Sequence, residues 1–179
     1  IKNVYKPQKS GTLIHEARKT TSENIIAVTS IPGISLTAKR SGSLTKISQL
    51  IDETLIKSTG NESDVMFTSQ SATRSFMCFI VPIHVGGVEA VSTITSRLQR
   101  KIEASQESVA WRIEQVTLVT AIGESFGNHT GLESKVLQAL EGIRIIGLTQ
   151  GASNCSLSVM VQPDDADLVL EKIHNLILA

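Results

Sequence analysis

The sequence predicts an α+β fold of two βαββαβ units with antiparallel sheets, side by side, the first inserted in the second. Three observations predict it. First, the chain repeats itself at an offset of 80 residues. Gln-Ser-Ala-Thr-Arg-Ser-Phe-Met-Cys-Phe-Ile-Val at 70–81 aligns without a gap with Gln-Gly-Ala-Ser-Asn-Cys-Ser-Leu-Ser-Val-Met-Val at 150–161. Second, strand-like runs and helical periods follow in the same order around both copies. Third, the chain stops at Ala179, directly after the second copy's last helical stretch and one strand short of a complete unit.

The elements follow in order. Ile25 to Ser30 reads as a strand, and a loop carrying Pro32, Gly33 and Gly42 comes next. Leu44, Ile47, Leu50, Ile51 and Leu55 then have helical spacing. The repeat begins at Gln70 with a polar turn and an apolar strand running to Val81, and Val88, Val91, Ile94, Leu98 and Ile102 mark a second helix. Trp111 to Gln115 supplies the fourth strand of this unit. In the second unit Val116 to Ile122 is strand-like, and Gly123, Gly127 and Gly131 punctuate the loop. Leu132, Val136, Leu137 and Leu140 give the first helix. Ala166, Val169, Leu170, Ile173 and Ile177 give the last one, opened by Asp164 and Asp165, which suit a first turn. The missing strand is expected from the N-terminal segment, roughly Leu13 to Thr21, which nests the first unit inside the second; a three-stranded last unit is the alternative. Helices cover one sheet face. The other face needs a cover of its own, so a dimer is expected.

Composition narrows the function. Seventeen Lys and Arg balance seventeen Asp and Glu, which argues against a nucleic-acid backbone as partner. Apolar residues make up 41%, enough for a core, but aromatics only 3%, so stacking on bases or sugars lacks its usual tools. Cys78 and Cys155 form no disulfide framework and lack metal-ligand spacing; they read as small buried hydrophobes. His15, His84, His129 and His174 are scattered, so no shared metal or catalytic site is expected among them. No apolar run is long enough to span a membrane, no signal peptide is expected, and the N-x-[ST] triplets at Asn61, Asn128 and Asn154 read as chance. Because the chain starts at Ile1, a segment upstream is expected to have been removed. The fragment shows no P-loop and no catalytic constellation, so it reads as non-catalytic.

The βαββαβ repeat, the glycine turn before the first helix and the Gln150-Gly151-Ala152-Ser153 segment together resemble the ACT regulatory domain, whose units are ferredoxin-like. More narrowly, they look like the tandem ACT pair of aspartate kinases. Thr149 to Ser153, Ser156 to Val161, Asp164 to Ala166 and Lys172 to His174 carry the resemblance in the second unit. Phe67 to Ala72, running on to Val81 and Pro82, is more similar to the bifunctional aspartate kinase–homoserine dehydrogenase branch. At the front, Ile1 to Pro7 with Gly11 to Ile14 looks like the last strands of the amino-acid kinase fold. The resemblance implies an end of the kinase domain at 1–15, a first ACT unit at 25–115, and a second at 16–24 plus 116–179. It implies a regulatory region that binds an end-product amino acid and feedback-inhibits its own kinase domain. It also implies a homodimer through ACT units and a cytoplasmic protein. ATP and Mg²⁺ would belong to the kinase domain, with no cofactor in this fragment. The resemblance leaves open whether a homoserine dehydrogenase follows. The sequence departs from relatives in Gly42-Ser43-Leu44-Thr45-Lys46, where a more apolar run is usual.

The ligand's chemistry selects the candidate site. An amino acid's carboxylate suits a helix N-terminus, where backbone N–H groups are unpaired and the dipole is positive. Gly42, Ser43 and Leu44 offer this in the first unit, Gly131 and Leu132 in the second, with glycine allowing close approach. The ammonium or a side-chain hydroxyl suits a Gln amide, here Gln70 and Gln150, which the resemblance implies contact threonine. Met66 stands where the lysine-sensitive branch has an Asp, and an apolar side chain cannot pair a buried ammonium, which favours threonine. Asp64, two residues earlier, keeps lysine open. The plainer reading makes Gln70 and Gln150 turn-flanking surface residues, and Gly42 and Gly131 simple helix entries. A stand-alone tandem ACT sensor is the remaining alternative.

Overall fold

The computed structural model describes residues 25–39, 43–62, 64–81, 87–105, 110–123, 126 and 131–178. Two long strands organise it: β1 (Ile25–Ala38) and β4 (Trp111–Gly123). They pair antiparallel along their whole length, from Ile25 opposite Gly123 to Ala38 opposite Trp111. After β1 come α1 (Leu44–Thr59), β2 (Asp64–Gln70), β3 (Ser75–Ile80) and α2 (Gly87–Ala104). After β4 come α3 (Leu132–Ala139), β5 (Gly147–Gln150), β6 (Ser156–Val161) and α4 (Ala166–Leu178). All six strands form one antiparallel sheet in the order β2-β3-β1-β4-β6-β5.

That order resolves into two overlapping units. β3 pairs only with the second half of β1, Gly33 to Ala38. β6 pairs only with the second half of β4, Thr117 to Ile122. The first half of each long strand is therefore the fourth strand of the other unit. Residues 25–32 of β1 extend the second unit, and Trp111 to Val116 of β4 extend the first. The first unit is thus inserted in the second. The N-terminal segment from Leu13 to Thr21 lies outside the described residues. Within them, the place expected for it is held by residues 25–32, which the sequence reading gave to the first unit.

The expected loop at Pro32 and Gly33 is instead the middle of β1. Pro32 stands opposite Thr117, and its carbonyl accepts from the Val81 N–H at 3.2 Å. In a strand a residue's N and C=O point to the same side, so the donor that proline lacks lies toward β3, away from the β1–β4 ladder. Gly33 is required by contact, not by a turn. A Cβ there would lie 2.8 Å from Leu118 Cδ1 and 2.9 Å from the Phe79 carbonyl oxygen.

Strand alternation sorts the core. Trp111, Ile113, Val119 and Ala121 of β4 face the helices; Val116 and Leu118 face away. On the helical face, Ile34, Leu36 and Phe79 pack with Ile47, Ile51 and Leu55 of α1 and Val91, Ile94 and Leu98 of α2. Val119, Leu157 and Val159 pack with Leu132 and Val136 of α3 and Val169 and Ile173 of α4. Of the expected helical positions, Leu137 is 42% exposed and lies off the stripe. Asp164 and Asp165 form a 3₁₀ turn ahead of α4. The helix-free face carries a third cluster, Cys78, Val116, Leu118 and Met160, flanked by Phe67, Phe76 and Ile146. The sheet curls around it: a side-chain carbon at Gly147, the first residue of β5, would lie 3.9 Å from Phe76 Cε1 of β3. The helix-free face is thus partly covered by the sheet's own curvature. Thr120 and Ser158 share a 2.8 Å hydroxyl bond there.

Candidate functional site

Each glutamine of the repeat closes a β-hairpin. Gln70 stands opposite Ser75, and the turn between them is tied by the Ser71 N–H to the Arg74 carbonyl at 2.8 Å. Gln150 stands opposite Leu157, with the Gly151 N–H bonded to the Ser156 carbonyl at 2.9 Å. Asn154 takes the left-handed conformation that this second turn needs (φ 55°), which Asn tolerates. Both glutamines are exposed, and Gln150 Nε2 donates to Asn154 Oδ1 at 3.4 Å.

The topology brings each glutamine to the sheet end where its unit's first helix begins. Across the sheet, Gln70 is in line with Ser75 and then Ala38, the last residue before the connection to α1. Two strand spacings separate Gln70 from β1, about 10 Å. Gln150 is likewise in line with Leu157 and Ala121, near the end of β4 that leads to α3. Because β1 and β4 run in opposite directions, the two candidate sites lie at opposite ends of the sheet, about 33 Å apart along a strand.

The two helix starts differ. Ser43 caps α1 in extended conformation, its Oγ accepting from the Lys46 N–H at 3.3 Å. No acid sits in the first turn of α1, and Lys46 adds a cation. That arrangement favours an anion through dipole and charge together. Leu44 is half-buried and packs on the first core, so its backbone N–H is what it offers a ligand. Gly42 lies outside the described residues. In α3, Gly131 provides no side-chain cap, and a Cβ on it would meet nothing within 4 Å. Glu133 stands in that helix's first turn, where its charge opposes a carboxylate ligand. Leu132 is 2% exposed, with its side chain in the second core.

Met66 falls at a β-bulge, since the β2–β3 register shifts between Val65 and Phe67. Asp64 is exposed at the far end of β2, about 20 Å from Gln70 along the strand. Of the two cysteines, Cys78 is buried, and burial pushes its thiol up to about 12; Cys155 is exposed in the second hairpin turn, against the expectation of burial. The turn carries it into solvent because strand β6 starts only at Ser156. Among the described residues no three His, Cys, Asp or Glu side chains gather to hold a metal, and no helix is long and apolar enough to cross a membrane.

The sequence reading did not single out Lys39, Arg74, Arg112 and Arg144, which line one cavity on the helix-free face. They come from separate parts of the chain, so no spacing announces them.

Known proteins match this architecture. Residues 119–176 match the ACT domain model. A bifunctional aspartokinase/homoserine dehydrogenase 2, chloroplastic, of Arabidopsis thaliana is 25% identical over 116 residues, 63% of this chain and 12% of that protein. The chain therefore corresponds to a small part of that relative's length. An aspartate kinase from Clostridium acetobutylicum superposes with a TM-score of 0.67 at 17% identity, over 98% of this chain and 40% of the other. The regulatory subunit of aspartate kinase from Thermus flavus superposes with a TM-score of 0.61 at 14% identity, over 86% of this chain and 99% of the other. Residues 119–176 are thus similar to the ACT domain, and the chain shares the fold of the aspartokinase regulatory domains it superposes on.

Proposed function

We propose that this chain is the regulatory region of an aspartate kinase. It binds a free end-product amino acid, threonine, and thereby feedback-inhibits phosphorylation of aspartate by ATP in its own kinase domain. The observation that carries the reading is the α1 end of the sheet. A capped helix start with no acid in its first turn, Lys46 beside it, and Gln70 at the same sheet end offer donors for a carboxylate and an amide for an ammonium or hydroxyl. The corresponding end of α3 carries Glu133, so the first unit is the stronger binder.

Threonine is favoured over lysine by distance. A ligand held at Gln70 leaves Asp64 about 20 Å away along β2, too far to pair a lysine ε-ammonium. ATP and Mg²⁺ are assigned to the kinase domain, and the compartment to the cytoplasm. A homodimer is supported by the two edge strands, β2 and β5, whose outer backbone groups suit pairing with a second copy. Inhibition requires tighter binding of the amino acid to the inhibited state than to the active one. Titration calorimetry with threonine, lysine, methionine and isoleucine tests the reading. Threonine is expected to bind most tightly; a folded chain that binds none of the four overturns it.

A further inference from the structure

The helix-free face holds a cavity of about 1090 Å³, the size of a site for a small organic ligand. It opens between the β2–β3 hairpin, the paired ends of β1 and β4, and residues 144–147 leading into β5. Four cations line it, Lys39, Arg74, Arg112 and Arg144, against one carboxylate, Glu114. Arg112 and Glu114 bond to each other at 2.7 Å, which leaves three cations in excess in a chain whose net charge is zero. Two of them, Arg74 and Arg144, are exposed arginines from different units, and guanidinium groups bind phosphate in forked geometry.

One further feature points to an organic body on the anion. Phe67 and Phe76 line the cavity as a tilted pair with centroids 5.6 Å apart, in a chain that holds few aromatics. Trp111 borders the cavity on β4, while its side chain is 5% exposed and packs in the core on the helical face. Gln70 and Gln150 do not line this cavity, although Ser69 and Ser71, on either side of Gln70, do, so it opens beside the amino-acid site.

We propose that this cavity binds an organic phosphate, its flat apolar part against Phe67 and Phe76 and its phosphate between Arg74 and Arg144. Bound there, the ligand ties the hairpin of the first unit to the segment entering β5 of the second. Trp111 is the only tryptophan of the chain and borders the cavity, so its fluorescence serves as the probe of occupancy. The test titrates the whole 179-residue chain with phenyl phosphate, and separately with phenol and with inorganic phosphate. A saturable change in Trp111 emission is expected with phenyl phosphate at concentrations on the order of 1 mM or below. Phenol and inorganic phosphate each bind at least about tenfold more weakly, since each lacks half of the recognition. Replacing both Arg74→Gln and Arg144→Gln, at exposed positions that leave the thermal transition in place, weakens phenyl phosphate by about tenfold or more. No saturable change, phenol binding as tightly as phenyl phosphate, or unaltered affinity in the folded double variant overturns the proposal.

Discussion

Gly33→Ala tests whether β1 runs unbroken through its Pro-Gly pair and so serves both units. The added methyl would meet Leu118 Cδ1 at 2.8 Å and the Phe79 carbonyl oxygen at 2.9 Å. The leucine can swing aside, but the carbonyl belongs to β3, hydrogen-bonded in the same sheet, and cannot. Overpacking of this kind costs about 1–3 kcal/mol. The restricted unfolded chain returns about 0.4–1 kcal/mol. The net loss is about 1–2 kcal/mol, which for a chain of this size lowers the midpoint by about 2–8 °C. Thermal denaturation followed by circular dichroism measures it, with Gly131→Ala as control. A Cβ at Gly131 meets nothing within 4 Å, and its φ of −92° suits alanine, so a change within about 0.5 kcal/mol is expected. If Gly33→Ala melts at the same temperature as the control, or higher, the close contact does not exist and a loop at Pro32-Gly33 is restored.

Three further predictions follow from other parts of the molecule. Gln70→Ala weakens threonine binding by about 1–2 kcal/mol in calorimetry, with Gln150→Ala the smaller effect; equal affinity in both variants and the parent removes the glutamines from the site. Ellman's reagent on the native chain titrates Cys155 and spares buried Cys78 until denaturant is added, and rapid labelling of both in the native state contradicts the burial of β3. The same thiol gives a pH dependence. In the unfolded chain Cys78 ionises near its ordinary value of 9.0, whereas in the fold it stays neutral up to about 12. The unfolded state therefore binds fewer protons between these values, and stability falls as pH rises from 9 toward 12, by about 1 kcal/mol per pH unit. Urea melts of Cys78→Ala against the parent isolate this slope, and an identical slope in the two proteins refutes it.

Helix content was legible in the sequence because burial on one face of a helix imposes a local period. Ile47, Ile51 and Leu55, and Val91, Ile94 and Leu98, occupy the positions that period demands. The two hairpins were legible through the repeat at Gln70 and Gln150, whose polar turns follow short-range chemistry. The candidate site was legible only in part. Ser43 and Gln70 are 27 positions apart, and residue type marks each of them without placing one beside the other. Glu133 and Lys46, which set the two helix starts apart, gained meaning only once α1 and α3 had starting points.

The sequence by itself determined the helices and the repeated hairpins, since these follow from local periodicity and short-range turn chemistry. Only the tertiary structure decided how the units share strands. Pro32 and Gly33 look like a break when read locally, yet Pro32 lacks its donor on the side away from the β1–β4 ladder, and Gly33 admits Leu118 and Phe79 against the backbone. Strand pairing over long separations also decided that four scattered cations line one cavity. Such contacts depend on register between strands distant in sequence, which no local pattern encodes.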